Sequence, residues 1–311
     1  MESVTFKNKN LDVAADLYFP PGFDPDRTYP AIVSAHPIGS CKEQTSGNVY
    51  GAELAEAGYV VLAFDATYQG ASGGEPRWIE DPGLRVEDFR CAADYLVTLD
   101  YVDEDRIGVL GICGGGGYAV NAAMTDRRFK AVGTVTAVNF GRLMREGALS
   151  PDTGSDAAIM TLNAVAKQRT AEARGAEPRV DIALPDSPEK AAELGITALD
   201  VLEATEYYRT ERGQQPHGVN KSLFSHMGAT LGWDAYHLAE KLLTQPLQIV
   251  VGGIPGEFGA YRDGFDLLNR ARSQEKNILV VPGQSHYDLY WKPEATEQAL
   301  ATLIPFYNKH L

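Results

Sequence analysis

The stretch "RIGVLGICGGGGYAVNAA", Arg106 to Ala123, decides how this chain is read. An apolar run stops at Gly111, a cysteine follows at position 113, and glycines fill positions 114 to 117. A backbone that bends so sharply after a strand-like run either wraps a phosphate or presents a nucleophile. The phosphate reading has a formal match, because Gly114, Gly116 and Ala119 satisfy G-x-G-x-x-[G/A] between a strand and a helix. It also needs an acidic residue about 20 positions on to hold a ribose hydroxyl. The stretch that would supply it, "TVTAVNF", holds neither Asp nor Glu.

The nucleophile reading fits better. Gly111-Ile112-Cys113-Gly114-Gly115 is G-x-C-x-G, the cysteine form of a strand–turn–helix elbow. The nucleophile of such a turn sits at a strained backbone angle, and side chains two residues before and two after it would collide. The N-terminus of the following helix points at the thiol, which favours thiolate and a developing oxyanion.

Outward from this turn, short strand-like runs alternate with helical patterns. "SVTF" and "LDVAADLYF" read as two antiparallel strands joined by "KNKN". "AIVSA", "VVLAFD", "RIGVLG" and "AVGTVTAV" read as buried strands. Between them lie the helical patterns "GNVYGAELAEAGY" and "DPGLRVEDFRCAADYLVTL", the second opened by the capping-type Asp81-Pro82. The rhythm predicts a mostly parallel sheet covered by helices on both faces. It breaks from 140 to 245, where no strand is expected and "SDAAIMTLNAVAKQRTAEA", "SPEKAAEL" and "TALDVLEATEYYRTE" are helical. It resumes with "PLQIVVGG", "DGFDLLNRARS", "KNILVVPG" and a closing helix. The expected organisation is an α/β core over 1–139 and 246–311, interrupted by a helical cap over 140–245.

An elbow needs partners, in the chain order nucleophile, acid, histidine. Of the six histidines, His286 alone lies in a loop just after the final strand, in "VVPGQSHYDLYWKPE", where a general base belongs. His36 follows an earlier strand and is given another role; His217, His226 and His237 fall in or near the cap, and His310 at the tail. The acid should follow "PLQIVVGG", which leaves Glu257 and Asp263; the latter precedes a helix and would serve equally as an N-cap. Oxyanion donors are expected from the amide of Gly114 and from the loop "HPIGSCKEQ", where Ile38 is chosen because Pro37 has no N–H. Glu43 is read as a solvated carboxylate, Asp65 as a loop anchor, Cys41 and Cys91 as bystanders, and Tyr118 as core. Tyr207, Tyr208, His226 and Trp233 are the pocket candidates of the cap.

The bulk properties narrow the partners. The 311 residues carry a net charge of -14, from 28 basic and 42 acidic side chains, and no basic block offsets it. Neither a nucleic-acid nor a membrane-surface partner is expected. No apolar run would span a bilayer, and the N-terminus lacks a signal-peptide pattern. Three cysteines without metal-ligand spacing predict free thiols, a cytoplasmic location and no metal.

With "HPIGSCKEQ", "LAFDATYQGASGGEPR", "EDPGLRVEDFRCAADYL", "RIGVLGICGGGGYA" and "SHYDLYWKPE" in order, the chain resembles the α/β-hydrolase fold. More narrowly it is similar to the dienelactone-hydrolase-like and X-Pro dipeptidyl-peptidase-like group, with its fungal polyketide transferase relatives. The resemblance implies Cys113 as nucleophile, His286 as base and an oxyanion loop over His36 to Ser40. Relatives often carry an Asp past the strand where this chain reads "IPGEFG", so the acid stays open between Glu257 and Asp263. Many relatives use serine, whereas dienelactone hydrolases use cysteine. The expected function is cofactor-independent hydrolysis of a small-molecule ester, lactone or thioester through an acyl-enzyme. Peptidase or acyltransferase chemistry and a non-catalytic ligand-binding scaffold are the competing readings, and a homodimer is left open.

Overall fold

Apolar runs such as Val60–Phe64 and Ile107–Ile112 form the buried parts of the central strands, because a strand covered on both faces can bury every side chain it carries there. The strands are β1 (Glu2–Asn8), β2 (Leu11–Tyr18), β3 (Tyr29–Ala35), β4 (Val60–Phe64), β5 (Val102–Ile112) and β6 (Phe129–Val135). After them come β7 (Val180–Ile182), β8 (Lys221–Leu223), β9 (Leu247–Gly252) and β10 (Lys276–Val281). The structure is a computed structural model and describes residues 1–147 and 156–311.

Eight strands form one sheet in the order β1-β2-β4-β3-β5-β6-β9-β10. β1 and β2 pair antiparallel, β2 meets β4 antiparallel, and all other pairs are parallel. Two buried clusters lie on the two faces, and helices cover both. The helix Pro82–Leu96 starts where the Asp81 carboxylate accepts the Leu84 N–H at 3.1 Å. The final helix, Pro293–His310, is pinned to the sheet by the Tyr307 hydroxyl, which donates to the Val109 carbonyl at 2.7 Å.

Register decides where the chemistry gathers. Ala35 pairs with Gly111, Gly111 with Thr134, Val135 with Val250 and Gly252 with Val281. The parallel strands therefore end level, and the loops leaving β3, β5, β6, β9 and β10 meet at one edge, the usual ligand edge of an open α/β sheet.

The insertion between β6 and β9 departs from an all-helical cap. Helices Phe140–Glu146, Ala157–Ala173, Pro188–Glu193 and Leu199–Arg209 are present, but β7 and β8 pair antiparallel as a second, small sheet. Three residues per strand is too short for a periodic signal to show in sequence. Residue 155, the expected start of the long cap helix, and the rest of 148–155 lie outside the described residues. At its far end, Ala235, Tyr236, Ala239 and Leu243 are buried in the same cluster as the sheet residues, so this part of the insertion packs as core. The stretch "GNVYGAELAEAGY" is also not one helix. A wide π-helical turn, Thr45–Gly51, precedes the α-helix Ala52–Glu56, and the Ser34 hydroxyl donates to the Ser46 carbonyl inside that turn.

Candidate active site

Cys113 sits at φ 54° and ψ -125°, between the end of β5 and the helix Gly114–Thr125. A non-glycine residue there is strained, and the surrounding contacts hold it. Its N–H donates to the Val135 carbonyl at 3.0 Å, and its carbonyl accepts from Gly116 and Val138, each at 2.9 Å. The flanking glycines are sterically required. A Cβ on Gly111 would lie 2.4 Å from the Gly115 carbonyl oxygen, and one on Gly115 would lie 2.5 Å from that of His36.

The thiol is 8 % exposed and lies against three donors: the backbone amides of Gly114 and Ile38, and the Tyr290 hydroxyl. Burial nevertheless dominates and pushes its pKa up to about 11, although those donors pull it down. Burial thus works against the thiolate that an exposed helix N-terminus would favour. His286 is buried as well, and burial lowers its pKa to about 3, which keeps the ring neutral. Its Nε2 lies 3.2 Å from the Tyr290 hydroxyl, so one phenol touches both the thiol and the imidazole. Tyr290 carries no motif of its own. Only its place one turn past His286 on the helix Asp288–Trp291 brings it in.

Neither carboxylate expected as the orienting acid bonds to His286. Asp263 is held by Arg142, whose Nε and Nη2 each donate to it at 2.8 Å, and by the Asn139 N–H at 2.8 Å. Glu257 accepts the Asp200 N–H at 3.0 Å and so caps the cap helix Leu199–Arg209. Its pKa is lowered: burial works against this, and backbone bonds led by that of Asp200 outweigh it. The loop "IPGEFG" thus turns its carboxylate away from the imidazole and towards the cap.

The remaining candidates divide into clamps and walls. His36 donates from Nδ1 to the Pro37 carbonyl at 2.6 Å and accepts the Ala66 N–H on Nε2 at 3.0 Å. Burial first, and Arg85 second, keep it neutral, and the Arg85 guanidinium also donates to the His36 carbonyl at 3.2 Å. Together they brace the loop that carries Ile38. Asp65 accepts from Lys42 N–H at 2.7 Å and Ala71 N–H at 2.8 Å, a loop anchor. Glu43 pairs with Lys42 at 2.5 Å. Tyr118 is core: its hydroxyl donates to Glu80 at 2.8 Å and its ring stacks on Trp233 at 4.7 Å. Trp233 is thereby removed from the pocket. Tyr208 and His226 line it, and Tyr207 supports Tyr208 and Tyr290 edge-on.

Over the thiol lies a cavity of about 480 Å³ between sheet edge and cap. Phe140, Leu143, Ile182, Leu184, Val201 and Met227 make its walls apolar, and Cys113, Ile38 and Tyr287 form part of its lining. This volume and lining suit a small-molecule ligand. The insertion and the loop after β3 are joined directly, since Asn220 donates its N–H to the Gly39 carbonyl at 2.9 Å.

Fold and elbow together define a hydrolase of the α/β-hydrolase fold. Residues 10–231 match the X-Pro dipeptidyl-peptidase (S15 family) model, and the chain belongs to that family. It is 42% identical over 311 residues to the uncharacterized protein YcjY of Escherichia coli (strain K12), covering 99% of this chain and 98% of that one. The crystal structure of the hypothetical protein PA2218 from Pseudomonas aeruginosa superposes with a TM-score of 0.89 at 32% identity, over 100% of this chain and 93% of that one. The α/β hydrolase GrgF from Penicillium sp. sh18 shares the fold, with a TM-score of 0.75 at 18% identity over 99% and 98% of the two chains. No helix among the described residues is long and apolar enough to cross a membrane.

Proposed function

We propose that the protein hydrolyses an ester, lactone or thioester whose acyl part is apolar, through a covalent Cys113 acyl-enzyme and without a cofactor. The observation that carries this reading is a strained thiol, faced by two backbone amides, opening on an apolar cavity. In the first half-reaction the sulfur attacks the carbonyl carbon and forms the C–S bond. The carbonyl π pair moves to oxygen, which the Ile38 and Gly114 amides receive. The thiol proton passes to Nε2 of His286, with the Tyr290 hydroxyl between the two groups. Collapse breaks the bond to the leaving alcohol or thiol, which takes that proton from the imidazolium. Water then repeats the sequence on the acyl-enzyme and regenerates the thiol.

Because thiol and imidazole are both neutral at rest, the sulfur is activated as it attacks, by general-base transfer. An ester or thioester suits this device better than an amide, because an amine leaving group demands more of the imidazolium. The test is intact-mass spectrometry during turnover of an activated aryl ester. A covalent acyl adduct at Cys113 and its loss, with turnover, in Cys113→Ala is the expected outcome. Turnover that survives Cys113→Ala would exclude the mechanism.

A further inference from the structure

His286 presents a buried Nδ1 that has no hydrogen-bond partner, and two other buried polar atoms share that condition beside it: Oδ1 of Asp200 and Oγ1 of Thr136. All three residues line one small cavity of about 10 Å³, next to Gly252 and Gly256. That volume is about one water molecule, and a buried water needs two to four polar partners, which these atoms provide. Unpaired groups of this kind are rare in a folded interior and mark a partnership that the local structure is built around.

Asp200 is held for such a role. Its Oδ2 accepts the Phe258 N–H at 2.6 Å, and its own N–H donates to Glu257. Gly256 lets the loop after β9 pass against it, since a Cβ there would fall 2.1 Å from Oδ1. The carboxylate is thus locked through one oxygen, and the other is left for the cavity. Resting on the acyl-enzyme reading above, we infer that Asp200 is the positioning carboxylate of His286, acting across one water held in this cavity. The orienting acid then comes from the cap, and Glu257 serves one step back by holding the helix that carries Asp200.

The consequence for the imidazole is definite. A hydrogen bond from Nδ1–H towards Asp200 fixes the tautomer that leaves the Nε2 lone pair facing Tyr290 and Cys113. It also supplies a negative charge when Nε2 takes the proton. Burial, with help from Glu257 and Glu203, raises the Asp200 carboxyl to about 7. The groups ringing His286 itself, Phe258, Tyr287 and Tyr290, are uncharged aromatics.

Asp200→Asn keeps the acceptor for Phe258 and removes the charge. We expect its kcat to fall by about 10²–10⁴-fold, with KM changed by less than about threefold. The wild-type protein should also show a downfield His286 Nδ1–H proton by NMR, and the variant should lose it. A variant that keeps kcat within about threefold of wild type and leaves the His286 resonances unmoved would overturn the assignment. If Asp200→Asn does not fold, the wild-type spectrum decides alone: a bonded Nδ1 proton supports the role, and an imidazole with no such proton refutes it. Cys113→Ala is measured beside it. Turnover surviving there defeats the nucleophile reading, whereas a dead Cys113→Ala with an active Asp200→Asn defeats only the assignment of Asp200.

Discussion

Gly115→Ala tests the elbow with a single methyl group. The added Cβ would lie 2.5 Å from the His36 carbonyl oxygen and 2.8 Å from that of Ala35. A carbon–oxygen contact settles near 3.3 Å or beyond, so the end of β3 and the helix must part by about 0.8 Å. Both obstacles are backbone, and no rotamer can relieve them. The displaced peptide is two residues ahead of Ile38, whose amide faces the sulfur. Misplacing or losing one oxyanion donor lowers kcat by about 10²–10³-fold. Overpacking costs about 1–3 kcal/mol, or roughly 2–5 °C in Tm for a chain of this size. Helix propensity by itself favours alanine by about 1 kcal/mol, so any fall in Tm isolates the clash. Steady-state turnover of an aryl ester and thermal unfolding read both effects. Gly228→Ala, whose Cβ would meet nothing closer than Leu162 at 4.0 Å, is the control and should leave kcat unchanged. Gly115→Ala with wild-type kcat and an undiminished Tm would refute the steric account of the turn.

Further outcomes follow from the buried polar groups. Arg142→Met strips Asp263 of its two-pronged partner and frees the Phe258 carbonyl; urea unfolding should show a loss of about 3–5 kcal/mol, largely restored by adding Asp263→Leu. Tyr290→Phe removes a donor that lowers the thiol pKa, so the pH–rate profile of Cys113 alkylation should move to higher pH; an unmoved profile would place the hydroxyl outside the thiol's reach. His286 titrates near 3 when folded against 6.5 as its ordinary value, so below pH 6.5 the unfolded chain takes up the proton first and acid favours unfolding. Its contribution is fully present above pH 6.5 and is lost at about 1.4 kcal/mol per pH unit as pH falls towards 4. His286→Gln should flatten the pH dependence of the unfolding free energy by that slope; an unchanged slope would mean that the ring is not held neutral.

Several features were legible from residues alone, because they rest on local chemistry. The apolar runs of β3, β4, β5, β6 and β9 announce buried parallel strands by composition. Asp81-Pro82 marks a helix start because a carboxylate and a ring without an N–H suit that position wherever it occurs. The elbow is readable because its demand for glycine at 111 and 115 is steric and confined to five residues. His36 and Asp65 were separable from the catalytic set by their places, and the structure uses both to brace loops.

Only the tertiary structure decided the rest. Asp200 lies in a cap helix 57 residues ahead of Glu257 in the chain, and nothing in "TALDVLEATEYYRTE" distinguishes it from a solvated acid until the loop after β9 closes over it. Tyr290 meets the thiol through a helix turn whose orientation depends on the sheet beneath. The balance at the Cys113 thiol was equally out of reach, because a helix N-terminus argues for thiolate whereas burial, which only the folded chain creates, pushes its pKa up. Chain order sets which residues stand at a strand end, through backbone sterics that act over a few positions. Which carboxylate meets which imidazole depends on long-range packing of separate elements, and on which polar atoms that packing leaves without water.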